Sequence, residues 1–264
     1  MITLGVIPAR YNSTRLPGKP LADICGKTMI QRVYERASRS TLLDRLIVAT
    51  DDERIVQAVN NFGGEAMLTS PNHTNGTSRV VEIAKKFSNN NIVINIQGDE
   101  PLLNPCMIDE VISLFYKTEN RATESATICA LITDTATIND PSVVKVAFRI
   151  NGDALYFSRS PIPFIRDPEE VYPIYRHIGI YGFTRRFLIH YYAKMPQTPL
   201  ASAESLEQLR ILEHDFSIKV EITRAKKVGP SVDTPADLEA VRCIINSGKE
   251  NEYDEIIEKK EGKE

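Results

Sequence analysis

The chain has 264 residues, 42% of them hydrophobic and 25% charged, and a formal net charge of −3. That length suits one large α/β domain, or a domain with a lobe, and the apolar share is enough to build a core. The slight negative charge argues against charge-driven binding of nucleic acid. No apolar run approaches the roughly 18 residues that span a bilayer, and no basic segment followed by an apolar core opens the chain, so a cytoplasmic protein without membrane insertion is expected.

Leu4–Ile7 is an apolar run long enough for one buried strand. Three cations follow, Arg10, Arg15 and Lys19, in a loop of small and turn-forming residues. Such a loop can be a solvated basic surface, or a polyphosphate cradle of backbone N–H groups and converging cations. Its place after a first strand favours the cradle, because ligands of α/β proteins bind at strand ends. Gly26-Lys27-Thr28 imitates the end of a Walker A loop, but Leu21 stands where that motif requires its first glycine. No Gly-x-Gly-x-x-Gly follows a strand, so neither a P-loop nor a dinucleotide fold is supported.

Strands are predicted at Leu46–Ala49, Ala66–Leu68, Ile92–Ile96 and Thr127–Ile132, and helices at Met29–Arg39, Glu53–Phe62, Thr77–Phe87 and Met107–Tyr116. This alternation reads as βαβ units, hence a parallel sheet sandwiched by helices, and the unbroken apolar strands fit a sheet covered on both faces. After Asp140 the rhythm changes. Val143–Phe148, Leu155–Phe157, Ile178–Phe183 and Ile218–Ile222 read as strands, with helices only at Arg185–Ala193 and Ala203–Glu213. Ser160–Pro173 is a proline-rich loop or arm. The expected organisation is one domain over 1–247, with a mainly parallel half (1–140) and a mixed half (141–247) completing one sheet. The charged tail 248–264 reads as a solvated helix or a frayed end. Cys25, Cys106, Cys129 and Cys243 are too scattered for zinc or a disulfide framework and read as reduced, mostly packed thiols.

Two aspartates stand out. Asp99 follows the strand Ile92–Ile96, whose carboxyl end shares a rim with the Arg10 loop. Asp233 lies far along the chain, just before a helix. Carboxylates arriving from different elements suit Mg2+, which takes few protein ligands and completes its octahedron with phosphate and water. By itself, however, Asp233 ahead of Thr234-Pro235 reads better as a helix N-cap.

The run Ile7 to Leu21 closely resembles the amino-terminal signature of the 3-deoxy-manno-octulosonate (Kdo) cytidylyltransferases. Matches follow in the family's order at Asn75-Gly76-Thr77-Ser78-Arg79, Asn95-Ile96-Gln97-Gly98-Asp99-Glu100-Pro101 and Ala154-Leu155-Tyr156-Phe157-Ser158-Arg159. Others are Arg176-His177-Ile178-Gly179-Ile180-Tyr181, Glu204-Ser205-Leu206-Glu207-Gln208-Leu209-Arg210 and Val232-Asp233-Thr234-Pro235, so the likeness runs from Thr3 to about Val241.

The resemblance implies a nucleotidyltransferase-like, mixed but mainly parallel sheet flanked by helices in a three-layer sandwich, with a dimerisation arm and a homodimer. It implies transfer of CMP from CTP to a Kdo-like acidic sugar with Mg2+ at Asp99 and Asp233, which reverses the cap reading of Asp233. It assigns CTP binding to Pro8, Ala9, Arg10, Arg15, Lys19, Thr77 and Arg79, and catalysis to Lys19, Arg10, Asp99 and Asp233. It assigns the sugar to Gln97, Arg159, His177, Glu204 and Gln208. Taken alone, a helical Glu204 or Gln208 reads as a solvated face and His177 as a structural histidine, whereas Arg159 after an apolar strand suits a carboxylate. One departure is visible: most relatives carry an acidic residue where Ser78 stands. That puts in question an ion pair fixing Arg79 and leads to an expectation of weaker nucleotide selectivity. Alternatives are a cytidylyltransferase for 8-amino-Kdo or a sialic acid, or an inactive nucleotide-binding homologue.

Overall fold

The computed structural model describes residues 1–13, 15–116, 123–167, 169 and 172–257. They gather into two compact units, one of Met1–Asp109 with Arg224–Glu264 and one of Glu110–Thr223. The second is inserted into the first, without the composition shift that would have marked a boundary in the sequence.

The first unit is built on β1 (Thr3–Ala9), β4 (Arg45–Thr50), β5 (Ala66–Leu68) and β6 (Ile92–Asn95), with the two-residue strands β2 (Asp23–Ile24) and β3 (Lys27–Thr28) forming a separate hairpin. The four longer strands are parallel in the order β6-β1-β4-β5. Val6, Ile7, Ile47, Val48, Val93 and Ile94 are fully buried, so neighbouring residues on opposite faces are both covered. The cover comes from α1 (Met29–Ala37), α2 (Glu53–Asn61) and α3 (Gly76–Lys86), which bury Met29, Ile30 and Val33, Ile55 and Val59, and Val80 and Ile83. Ala9 pairs with Thr50 and Val6 with Asn95, so the loops after β1, β4 and β6 all leave from one rim. The false Walker ending is explained by the hairpin: Cys25 and Gly26 form its turn with φ of 53° and 81°, as a type I′ turn needs.

α4 (Pro105–Ser113) leads into the second unit. There β7 (Ser125–Leu131) pairs antiparallel with β10 (Tyr175–Thr184) and parallel with β11 (Lys219–Ile222), while β8 (Lys145–Phe148) pairs antiparallel with β9 (Ala154–Ser158) and β10. A short α5 (Thr135–Asn139) precedes β8. The expected change from parallel to mixed pairing is therefore present. α6 (Arg185–His190) follows β10. The helix expected at Ala203–Glu213 is instead two, α7 (Pro199–Glu204) and α8 (Leu209–Glu213), broken where Ser205 turns left-handed with φ of 52°. Glu204 and Gln208 thus do not share a helix face. At the ends of the insertion, the Thr223 hydroxyl donates to Glu110 Oε2 at 2.6 Å in a buried bond.

The chain then returns to the first unit through α9 (Pro235–Asn246) and a 3-10 helix, Lys249–Asp254. Asp254 pairs with Arg36 at 2.7 Å and Arg39 at 3.1 Å, and Lys226 pairs with Glu255 at 2.9 Å, so residues 248–257 are tied down while largely facing solvent. The rest of the expected tail, 258–264, lies outside the described residues, as do positions 168, 170 and 171 of the proline-rich arm. Of the four free cysteines only Cys129 is buried, which pushes its thiol up to about 12, and Cys243 is exposed rather than packed. Among the described residues no helix is long and apolar enough to cross a membrane.

Candidate active site

The loop after β1 is shaped by its backbone. Tyr11 O accepts from both Ser13 N and Gly18 N, and Gly18 adopts φ of 69°. A Cβ on Gly18 would also sit 3.2 Å from the Tyr11 ring, so only glycine meets both demands. The Arg54 guanidinium lies over the Tyr11 ring, 3.4 Å from its centroid. Lys19 opens a 3-10 turn immediately after Gly18. Gly76 and Gly98 both press on Pro8: a Cβ on Gly98 would come within 3.0 Å of Pro8 O, and one on Gly76 within 3.2 Å of Pro8 Cγ. Pro8 and Ala9 therefore hold the strand end against the segments that carry Thr77 and Asp99.

This packing brings four of the predicted charged residues together. Lys19 Nζ donates to Asp99 Oδ2 at 2.7 Å and to Asp233 Oδ1 at 3.1 Å, and Arg15 Nη2 reaches Asp233 Oδ1 at 2.9 Å. Arg10 is exposed at the same strand end and makes no ion pair with the described residues. The cap reading of Asp233 is corrected. Thr234 is the N-cap of α9, in a capping box with Asp237, whose Oδ2 accepts from the backbone N–H of both Asp233 and Thr234. The Asp233 carboxylate is thereby released from capping and faces Lys19.

Thr77 accepts from Asn95 Nδ2 at 3.3 Å. Arg79 is almost fully buried, pairs with Asp51 Oδ2 at 3.1 Å and donates to Thr69 Oγ1 at 2.6 Å. The ion pair questioned at Ser78 is thus supplied by Asp51. Asn75 is the cap of α3: its Oδ1 accepts from Ser78 N at 2.8 Å, and the Ser78 hydroxyl donates to Asn75 O at 2.9 Å. Half-buried Gln97 follows β6, one residue before Gly98.

In the second unit Arg159 and Glu204 are locked together. Glu204 Oε1 accepts from the Ser158 hydroxyl at 2.6 Å and Oε2 from Arg159 N at 2.9 Å, while Arg159 Nε donates to Glu204 O at 2.8 Å. Burial pushes the Glu204 carboxyl up, but these donors and the Arg159 charge more than offset it and hold the carboxyl below its usual range. Arg159 Nη1 donates to Pro141 O at 2.9 Å, and Nη2 has no partner among the described residues. Behind this pair lies Lys145, fully buried, with its ammonium donating to Asp140 O at 2.9 Å, Val143 O at 2.7 Å and Arg159 O at 2.5 Å. Burial lowers its pKa. Gln208 is buried, and partly exposed His177 lies on β10 with Nε2 at 3.0 Å from Thr127 Oγ1. Asp51, Lys145 and Thr127 were missed in the sequence. A lysine in the apolar run Val143–Phe148 was the one available signal.

Charged side chains at the ends of parallel strands, with two carboxylates sharing one ammonium, are the groups that phosphate handling of the nucleotidyltransferase type calls for. A family model described as Cytidylyltransferase matches residues 4–222, and the chain belongs to this family of enzymes. A Fusobacterium nucleatum protein named 3-deoxy-manno-octulosonate cytidylyltransferase is 51% identical over 248 residues, covering 94% of this chain and 97% of its own. A Shewanella frigidimarina protein named 8-amino-3,8-dideoxy-manno-octulosonate cytidylyltransferase is 48% identical, covering 88% and 94%. Among solved structures, a CMP:2-keto-3-deoxy-manno-octonic acid synthetase complexed with CTP aligns with a TM-score of 0.87 and 43% identity, over 94% of this chain and all of that one. The family resemblance read from the motifs is borne out, as is the mixed, mainly parallel sheet flanked by helices.

Proposed function

We propose that this enzyme transfers CMP from CTP to the anomeric hydroxyl of Kdo. The observation that carries the chemistry is the ammonium of Lys19 shared by Asp99 and Asp233 beside Arg15 and Arg10. The choice of sugar is supported by the 51% identical relative that bears its name. A new bond forms between the anomeric oxygen and the α-phosphorus, the bond to the α,β-bridging oxygen breaks, the hydroxyl proton passes to solvent and pyrophosphate leaves.

Arg10, Arg15 and Lys19 neutralise the triphosphate, with Lys19 on the charge that develops as pyrophosphate departs. Thr77 and Arg79 shape the nucleotide side, Arg79 from a buried position. Asp99 and Asp233 are hard oxygen donors reaching one common point, which fits Mg2+. Held by Asp99 and Asp233, Mg2+ would supply positive charge against the phosphate oxygens and make the acceptor hydroxyl easier to deprotonate. Arg159, through Nη2, which has no partner among the described residues, takes the sugar carboxylate; Gln97, His177 and Gln208 take hydroxyls; and Glu204 orients Arg159. We extend the proposal to a cytoplasmic homodimer supplying lipopolysaccharide or capsule synthesis. The dimer is supported by Phe164 and Tyr172 in the proline-rich arm, which are 88% and 51% exposed.

A second reading, 8-amino-Kdo as acceptor, is favoured by the 48% identical Shewanella relative. Pyrophosphate release from CTP and Mg2+ should be compared with Kdo, 8-amino-Kdo and N-acetylneuraminate. Turnover with Kdo is expected. Preference for the amino sugar would select the second reading, and silence with all three despite CTP binding would leave an inactive nucleotide-binding homologue.

A further inference from the structure

The strand β10 carries an irregularity that changes what His177 can bind. His177 pairs with Cys129 and Ile178 with Ile128, but Tyr181 pairs with Thr127, so Gly179 and Ile180 are extra residues opposite no partner. Adding two residues preserves the alternation of faces, and His177 and Tyr181 stay on the face of Thr127. Their rings lie 5.1 Å apart, and the Phe157 ring meets His177 edge-on at 5.1 Å.

Within the bulge the fully buried Thr127 hydroxyl lies 2.8 Å from Ile180 O and 3.1 Å from Ile178 O. Carbonyl oxygens only accept, so the single hydroxyl proton goes to them. With the proton on either carbonyl, the oxygen meets His177 Nε2, 3.0 Å away, as an acceptor, and that nitrogen then carries a proton. We propose that Thr127 fixes His177 in its Nε2–H form and leaves Nδ1 as a lone pair that accepts a hydroxyl proton of the acceptor sugar.

Burial of the ring, with Arg176 beside it, pushes the His177 pKa down to about 3, so Nδ1 stays unprotonated at neutral pH. No described residue bonds to Nδ1, and His177 is part-buried rather than sealed off. A lone pair there takes a hydroxyl or an ammonium and repels a carboxylate. Recognition of the sugar is thereby divided: Arg159 suits the carboxylate, and His177 a donor elsewhere on the ring or side chain. Thr127 is a positioning residue that never touches the substrate. The ligand half of the inference rests on the Kdo reading above, whereas the tautomer does not.

Long-range 1H–15N correlation spectra of 15N-histidine enzyme, assigned with His177→Gln, would test it without substrate. A pyrrole-like Nε2 and a pyridine-like Nδ1 are expected in the wild type and in Thr127→Ser. In Thr127→Val the two nitrogens should move toward averaged shifts, with the acceptor KM raised about tenfold and the KM for CTP unchanged. Thr127→Ser should restore the acceptor KM to within about twofold, which separates loss of the hydroxyl from loss of the fold. A proton on Nδ1 in the wild type, or unchanged shifts in Thr127→Val, would overturn the inference. With the expected spectra, an unaltered acceptor KM in His177→Gln would overturn the ligand half alone. No turnover with any acceptor would count against the Kdo reading and leave the tautomer standing.

Discussion

The two polar clusters of this enzyme are built on opposite principles. On the rim of the first unit, charge meets charge: Lys19 is held by Asp99 and Asp233, and Arg15 by Asp233, on partly exposed side chains that water and ligand can reach. In the second unit, charge meets backbone. Lys145 spends its ammonium on three carbonyls, Glu204 its carboxylate on a hydroxyl and a backbone N–H, and Arg159 two of its nitrogens on carbonyls. Side-chain ion pairs can be exchanged for phosphate and metal at little cost because each lost partner is replaced by another charge. Bonds to backbone cannot be exchanged without moving the chain. On the proposed function, the first cluster is suited to rearrangement by a polyanion, and the second to keeping one shape for a polyol.

The contrast breaks most visibly at the rim. Lys19→Ala or Asp99→Ala should lower turnover by about 10²–10³-fold with little change in melting temperature, measured by pyrophosphate release and calorimetry; substantial turnover in Asp99→Ala at saturating Mg2+ would sink its assigned role. In the second unit the loss should fall on stability. Lys145→Met takes a donor from three carbonyls, of which Asp140 O still accepts from Val143 N, and puts nothing in place of the ammonium; it should cost on the order of 1–3 kcal/mol, seen in chemical denaturation, with the KM for CTP unmoved. Glu204→Gln replaces an acceptor oxygen with an NH2 group, and should raise the acceptor KM about tenfold by releasing either Ser158 or Arg159 N. An effect on CTP instead would contradict the division of labour.

His177 sharpens the comparison through pH. Its folded pKa of about 3 lies below the unfolded value of 6.5, so between the two the unfolded chain binds more protons. Stability from this group is therefore complete above about pH 6.5 and is lost as pH falls toward 3. His177→Gln should flatten the dependence of denaturation midpoint on pH over that window. The smallest effect is expected at Ser78. It is the third residue of α3 behind the cap Asn75, so Ser78→Glu should complete a capping box and add about 0.5–1 kcal/mol, leaving the CTP/UTP preference as it is. A changed preference would restore the selectivity role first expected of this position.

Much of this was legible in the chain. Apolar runs located the parallel strands to within a residue or two, because a strand covered on both faces has no polar residues to blur it. The basic loop and Asp99 followed from strand ends. The cap reading of Asp233 failed because two adjacent residues can each cap a helix, and Asp237, three residues beyond Thr234, decides for Thr234. The helix at Ala203–Glu213 failed because nothing in Glu204-Ser205-Leu206 announces a left-handed serine. Asp51 and Thr127 were illegible for another reason. Their partners, Arg79 and His177, lie 28 and 50 positions away, distances at which spacing carries no information.

The insertion also sets a timetable for synthesis. Asp233 is made only after the whole of Glu110–Thr223, so a ribosome displays Lys19 and Asp99 long before the second carboxylate exists. The buried Thr223–Glu110 bond brings the ends of the inserted segment together once it has folded. Until then, the gap that α9 must cross is a long flexible loop; afterwards it is short. Catalytic competence should thus appear late and abruptly in the life of a nascent chain, gated by the folding of a region whose described residues pair no carboxylate with Lys19.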